Sequence, residues 1–524
     1  MRGEPKASRS ASRPGGKCLG LSRRRKIFIT LATLIGTFLA ALDATVIGTA
    51  MPTIIGELGG LELYSWVFAS YLLAATVTGP IFGKLSDTYG RKPIYLIGIF
   101  LFLLGSILSG TADSMTGLII FRTIQGLGAG AVQPVAITII GDIFELETRA
   151  RIQGLFGAVW GMSALVGPAV GGLMTDYLSW RWVFYINIPF GLVAGIILFF
   201  ALRESFGRRS GEADYLGFSL LTGGLLAVLF ALLGGGSVPE ITLPTISLLA
   251  GGIFALVLFV WVETRVSNPI VPMDLFANRL FSVASLGNFA LGGMLFGVSV
   301  YVPLFIQGAL GGTAITAGLA VASVSIGWPI ASFVGGRMLL KTGYRPTLIL
   351  GSFFMLAGAA LCVPMDRGTS LVYVVAASFV IGLGLGFTAT SYLVSIQNAV
   401  PWSRRGIATS SIVFFRTIGG VVWVAIMGAL LNFSLGDRYT AAAERAAGGD
   451  ENLADLLSDP NALLEPTLRA EIPPAAYDEL AATLAASLSP VFWTLFAIGA
   501  GAILAALLFP SGDAKQFVHR EEEG

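Results

Sequence analysis

Apolar residues along this chain gather into fourteen runs separated by short polar segments. The runs cover about 27–52, 63–83, 93–112, 116–140, 153–175, 183–202, 215–234, 244–262, 281–306, 315–336, 346–365, 371–396, 407–432 and 489–510. Most approach the roughly 20 apolar residues a helix needs to cross a bilayer core. A spanning segment must satisfy its own backbone hydrogen bonds, so each run is predicted to be an α-helix. The first run contains Asp43. A carboxylate at that depth costs at least about 2.5 kcal/mol, which marks it as a candidate for function.

The pattern repeats. Span 2 is followed by Gly83-Lys84-Leu85-Ser86-Asp87-Thr88-Tyr89-Gly90-Arg91-Lys92, and span 10 by Gly336-Arg337-Met338-Leu339-Leu340-Lys341-Thr342-Gly343-Tyr344-Arg345. In each, a second glycine stands seven positions after the first, as expected of a tight turn between two spans. Span 4 carries Gly126, Gly128 and Gly130, and span 12 carries Gly382, Gly384 and Gly386. These echoes predict two six-span halves, 27–202 and 281–510, with an inserted two-span hairpin and its linkers at 203–280. Short tails, 1–26 and 511–524, flank them. Repeated halves with a site at their interface are a transporter architecture.

Composition agrees with membrane burial. Charged residues are 12% of the 524, half the roughly 25% of soluble domains. The distribution of charge says more than its net value of +2. Of 33 lysines and arginines, 26 fall on one side of the alternating spans, nine of them in the N-terminal tail. By the positive-inside rule both termini are cytoplasmic. The basic stretch Arg23-Arg24-Arg25-Lys26 leads into an apolar run that continues past Asp43 without a small-residue cleavage site, so it reads as a first span. Cys18 and Cys362 imply no disulfide framework. Trp180, Trp182, Trp261 and Trp493 lie near span ends and read as interfacial belt residues. Segment 433–488 is different, with ten acidic and three basic residues. It reads as an outer loop with short amphipathic helices. A solvated linker and a docking site for an outer partner or lipid are both open there.

Several motifs resemble the Major Facilitator Superfamily, in its fourteen-span drug:proton antiporter branch. Gly83 to Lys92 resembles the signature between spans 2 and 3. Leu42-Asp43-Ala44-Thr45-Val46 through Ala50-Met51-Pro52 resembles the span 1 motif, with Gly48 where asparagine is usual. Arg122-Thr123-Ile124-Gln125-Gly126-Leu127-Gly128 resembles the span 4 motif. Gly157, Gly161, Gly167, Pro168, Gly171 and Gly172 resemble the span 5 antiport motif. Trp180-Arg181-Trp182-Val183-Phe184 with Ile186-Asn187-Ile188-Pro189 resembles a stretch typical of the branch. The resemblance implies the major facilitator fold and alternating access by two rocking bundles.

It also implies roles. Asp43 and Arg122 are the proton-coupling candidates, because spans 1 and 4 are neighbours in that fold. Desolvation disfavours the ionised carboxylate and a nearby guanidinium favours it, so a movement that changes both terms couples proton binding to access. Gly83, Asp87, Gly90, Arg91 and Lys92 form the candidate cytoplasmic gate, with Asp87 expected to meet the start of span 13 near Gly406, where free N–H groups favour an anion. The second copy has Leu340 at the matching place. Close helix approach at the span 5 glycines and a bend at Pro168 are expected.

By depth alone, Gln125, Gln133, Asn288, Tyr301, Trp328, Tyr392, Phe415 and Arg416 are candidate cavity residues. Arg416 has no acidic partner in its own half. Spans 9–14 hold no Asp or Glu within the bounds above, which argues against dication recognition by two carboxylates. His519 is the only histidine and lies in a tail, which excludes a Ser/His/Asp set and a histidine relay. No P-loop or Cys/His cluster occurs. The chain is therefore expected to be no enzyme, to need no cofactor beyond the proton as coupling ion, and to bind no nucleic acid. The reading is an all-α integral membrane protein, monomeric, in a bacterial plasma membrane, exporting hydrophobic or cationic drugs. Export or flipping of a lipid is the alternative, and a non-transporting sensor the alternative of another class.

Overall fold

The computed structural model describes residues 22–202 except 145, then 214–234, 242–266, 269–271, 273–400, 405–448 and 450–511. Fourteen of its helices are long and apolar enough to cross a membrane. They are α1 (Arg23–Leu58), α2 (Tyr64–Tyr89), α3 (Arg91–Gly110), α4 (Met115–Ile143), α5 (Leu146–Tyr177), α6 (Asn187–Ala201, preceded by the turn Trp182–Tyr185), α7 (Tyr215–Leu233), α8 (Leu243–Glu263), α9 (Arg279–Leu304), α10 (Ala314–Thr342), α11 (Tyr344–Cys362), α12 (Leu371–Ala399), α13 (Arg405–Ala447) and α14 (Pro474–Leu508). Polar side chains start several of them. Ser114, Thr313 and Ser370 accept the backbone N–H three residues on, satisfying a donor the helix itself cannot.

The two halves share one packing scheme. α4 packs on α2 and α3, and α12 on α10 and α11; α1 packs on α5 and α6, and α9 on α13 and α14. The repeated turns match in backbone geometry. Gly90 and Gly343 both take positive φ, 103° and 86°, a region that favours glycine. The α7–α8 hairpin lies against α2 and α13, where Trp66 Nε1 donates to Gly234 O at 3.0 Å.

Alternating spans give the molecule a basic face, carrying the Gly90 and Gly343 turns, and an opposite cap face. Contact between the halves concentrates toward the cap face. Thr53 and the backbone of Thr49 on α1 bond Gln307, in the π turn after α9, at 3.2 and 2.9 Å. Ser65 meets Tyr301 at 2.9 Å, and Tyr64 donates to Val300 O. Asp176, near the end of α5, accepts the N–H groups of Ala314 and Ile315 at 3.2 and 3.0 Å, an anion on the N-terminus of α10. Toward the basic face, Leu155 and Met162 of α5 and Ile330 and Phe333 of α10 are exposed.

Segment 433–488 departs from a solvated linker. α13 runs 43 residues, about 65 Å, so it projects well past a core of roughly 30 Å. α14 likewise begins early, at Pro474. Between them, Leu457, Ala462, Leu463 and Leu464 are buried. This cap touches both halves. The Leu464–Glu465 backbone abuts Gly56 of α1, while Arg469 Nη2 donates to Gly311 O at 3.0 Å. The predicted edges of spans 13 and 14 stop where the apolar run stops, but the helices continue because the cap buries one side of them.

Candidate functional site

Close helix packing comes first, because it brings the polar groups together. A Cβ at Gly126 would lie 2.5 Å from Tyr71 O, and one at Gly130 2.6 Å from Ala75 O. Only glycine lets α4 sit this close to α2. Gly128 meets the backbone of Phe102 in the same way, and Gly105 of α3 meets that of Gln125. In the second half Gly382 and Gly386 abut α10 and Gly384 abuts α11, so the glycines repeat in function as well as in spacing.

α1, α3, α4 and α6 then enclose one polar cluster. Arg122 Nη1 donates to Asp43 Oδ2 at 2.5 Å and to Gln125 Oε1 at 2.7 Å. Asp43 Oδ1 accepts from Gln125 Nε2 at 2.7 Å and from Asn187 Nδ2 at 3.1 Å. Both amides also donate to Ser106 Oγ, at 3.2 and 3.0 Å, and Ser106 donates to Phe184 O at 2.9 Å. The guanidinium lies 4.1 Å from the Tyr71 ring centroid, within cation–π range. Asp43 and Arg122 are each 1% exposed. A charge pair so buried repays its desolvation only through good geometry and further hydrogen bonds, and three donors on one carboxylate supply them.

The span 5 motif connects that cluster to the other half. Thr45, two residues beyond Asp43, donates to Ser163 O at 3.0 Å. Gly171 packs on Val46 and Thr49, and Gly167 on Thr45. On its other side α5 touches α10, where a Cβ at Gly172 would lie 2.7 Å from Ala314 O and Pro168 O abuts Gly318. Gly161 faces open space; Gly157 lies in α5. α5 is thus held between the helix of Asp43 and the second half. The departure at Gly48 has a steric reason: a Cβ there would stand 2.5 Å from Ser299 O of α9.

At the basic face, Arg91 pairs with Asp142 at 2.8 Å, fastening the α2–α3 turn to the end of α4. Lys92 lies 4.4 Å from the Phe199 ring centroid, and Gly83 faces open space. Asp87 belongs to α2, but its side chain is outside the described residues.

The candidate cavity residues separate into two sets. Gln125, Asn288, Tyr301 and Tyr392 are buried. Gln125 belongs to the Asp43 cluster, Asn288 bonds its own helix at Ala284 O, and Tyr301 seals the cap face through Ser65 and Val424. Tyr392 packs on Gly287 and Phe509. Gln133, Trp328, Phe415 and Arg416 are only part-buried. Sequence reasoning had missed three members of the Asp43 cluster, Ser106, Asn187 and Tyr71. Asn187 carried the clearest signal, as an amide at the start of an apolar span.

Residues 33–424 match the Major Facilitator Superfamily. The chain belongs to that superfamily. It is 35% identical to the multidrug transporter protein MdtP of Bacillus subtilis (strain 168), across 94% of each protein. It is also 35% identical to multidrug resistance protein 3 of the same organism, across 89% of this chain and 91% of that protein. Among solved structures it resembles a bacterial homolog of the human lysosomal transporter Spinster, in an inward-facing and unoccupied conformation. The TM-score is 0.65 at 16% identity, with 95% of this chain and all of that one covered. A D-xylose–proton symporter matches with TM-score 0.60 at 14% identity, over 93% and 98%. The chain is accordingly a multi-pass membrane transporter of the multidrug efflux type, and not an enzyme.

Proposed function

We propose that this superfamily member is a proton-coupled antiporter that exports small hydrophobic compounds by alternating access. The observation that carries the reading is the buried cluster on Asp43. It is a titratable group at mid-depth, sealed from water, and its helix is tied through α5 to the opposite half. Rocking of the halves shifts α1 against α5 and loosens the donors around Asp43, which then exchanges a proton with the side that is open. The basic face is the cytoplasmic one, in a bacterial plasma membrane, so an assembly closed at its cap face is the state that loads cargo from the cytoplasm. When the basic face closes instead, Asp87 docks on the start of α13 near Gly406, with the Gly83 to Lys92 turn as its hinge. The transporter acts as a monomer.

The test is dye export in reconstituted liposomes under an imposed proton gradient. Asp43→Asn should abolish gradient-driven flux, while the protein inserts normally and still binds dye. Full gradient-driven flux in this variant would remove Asp43 from the coupling mechanism.

A further inference from the structure

Charge at mid-depth is unevenly used. Asp43 is the carboxylate available there among the described residues, and it is consumed by Arg122, Gln125 and Asn187. It is 1% exposed and offers a cargo nothing. Arg416 is its opposite. It sits in the α13 span, part-buried, with no hydrogen bond, ion pair or ring contact among the described residues. Its backbone abuts Gly292 of α9, the span with the largest buried share, so Arg416 stands at an interior helix contact. A permanent cation in that position costs free energy unless an anion meets it.

A second unpartnered polar group stands at a matching depth. Gln133 of α4 is part-buried and makes no hydrogen bond among the described residues. It lies about ten residues, roughly 15 Å, from the basic-face end of its helix, and Arg416 lies about as far from the corresponding end of α13. One group belongs to each half. Trp328 and Phe415, also part-buried, supply apolar surface on α10 and α13.

We infer that space between the two halves takes amphiphiles bearing an anionic group, a carboxylate or sulfonate, which docks on Arg416 with Gln133 as a second donor. The inference rests on the transport reading above and adds an anionic group to its hydrophobic cargo, in place of the cationic group the sequence had left open. Guanidinium suits the role because it stays charged and offers a planar fork to such groups. Exchange of an outgoing anion for an incoming proton moves two charges in the same electrical sense, so membrane potential drives both.

Three dyes with one dansyl fluorophore and one decyl chain, ending in carboxylate, primary amide or trimethylammonium, test this. Binding to the purified protein in detergent is measured first, then flux in liposomes. The carboxylate dye should bind at least tenfold tighter than the trimethylammonium dye. Arg416→Gln should lower the carboxylate-to-amide affinity ratio about tenfold, and Arg416→Lys should keep most of it. Wild-type preference for the trimethylammonium dye, or an unchanged ratio in Arg416→Gln, overturns the inference. The wild-type comparison decides the matter even if the glutamine variant does not fold. Absence of gradient-driven flux for every dye, with the binding preference intact, would sink the proton-coupled export reading and leave the charge class standing.

Discussion

Each half of the molecule places an arginine within a membrane-spanning helix, and the two are treated in opposite ways. Arg122 in α4 has a carboxylate at 2.5 Å, an amide at 2.7 Å and an aromatic face. Arg416 in α13 has no such partner among the described residues and keeps part of its surface accessible. A satisfied charge fixes helices and is poised to respond when they move. An unsatisfied one is held ready for something that comes and goes. Under the two proposals above, the contrast places coupling in the first half and recognition in the second.

The sharpest way to break that contrast is to delete one side of each site. Asp43→Ala leaves Arg122 buried and unpaired, a change that costs about 3–5 kcal/mol. It should produce the largest loss of thermal stability in detergent among the variants considered. Arg416→Gln removes a charge that nothing holds, so the same melt should move little or rise while cargo selectivity changes. Equal destabilisation by the two would mean that Arg416 is a structural group, and the division between the halves would fail.

Much of this contrast was legible before any coordinates. Asp43 and Arg122 stand out as charges in apolar runs, and the glycine echoes at Gly90 and Gly343 recur as matching positive-φ turns. Less visible was how the charge is satisfied. Asn187 and Ser106 are ordinary polar residues whose meaning appears only when α3 and α6 converge on α1. Depth along a span likewise did not separate Gln125, which is sequestered, from Gln133, which is accessible, because orientation around the helix decides that. Segment 433–488 looked open because its charges are conspicuous; the leucines that bury it are scattered among them.

Asn187 offers a finer cut within the satisfied site. Asn187→Ala removes one of three donors to Asp43 and one of two to Ser106, leaving Gln125 on both. A buried hydrogen bond to a charged group contributes about 1.5–3 kcal/mol, so the loss should be well below that of Asp43→Ala. Gradient-driven flux should fall while the carboxylate-to-amide selectivity stays near wild type. If selectivity changes as well, the two halves do not divide their tasks.

The smallest effect should come from an ion pair that resembles the Asp43–Arg122 pair in chemistry but not in setting. At the cap face Arg181 pairs with Glu57, whose other oxygen accepts from Trp180 Nε1 at 2.5 Å. Trp180 is therefore no belt residue. It is 1% exposed, whereas Trp182, Trp261 and Trp493 are about half exposed as a belt requires. Arg181 and Glu57 are 28% and 49% exposed. Water screens their attraction and takes over the hydrogen bonds when one partner leaves, so Arg181→Ala should cost only about 0–1 kcal/mol. The difference should shrink further in high salt, as surface pairs do. Melting curves of Arg181→Ala and Asp43→Ala at low and high ionic strength check this directly. The first should depend on salt and be small, and the second should be large and indifferent to it. Similar losses in both would show that dehydration is not what gives the Asp43 site its energetic weight, and coupling through loss of its donors would lose its physical basis.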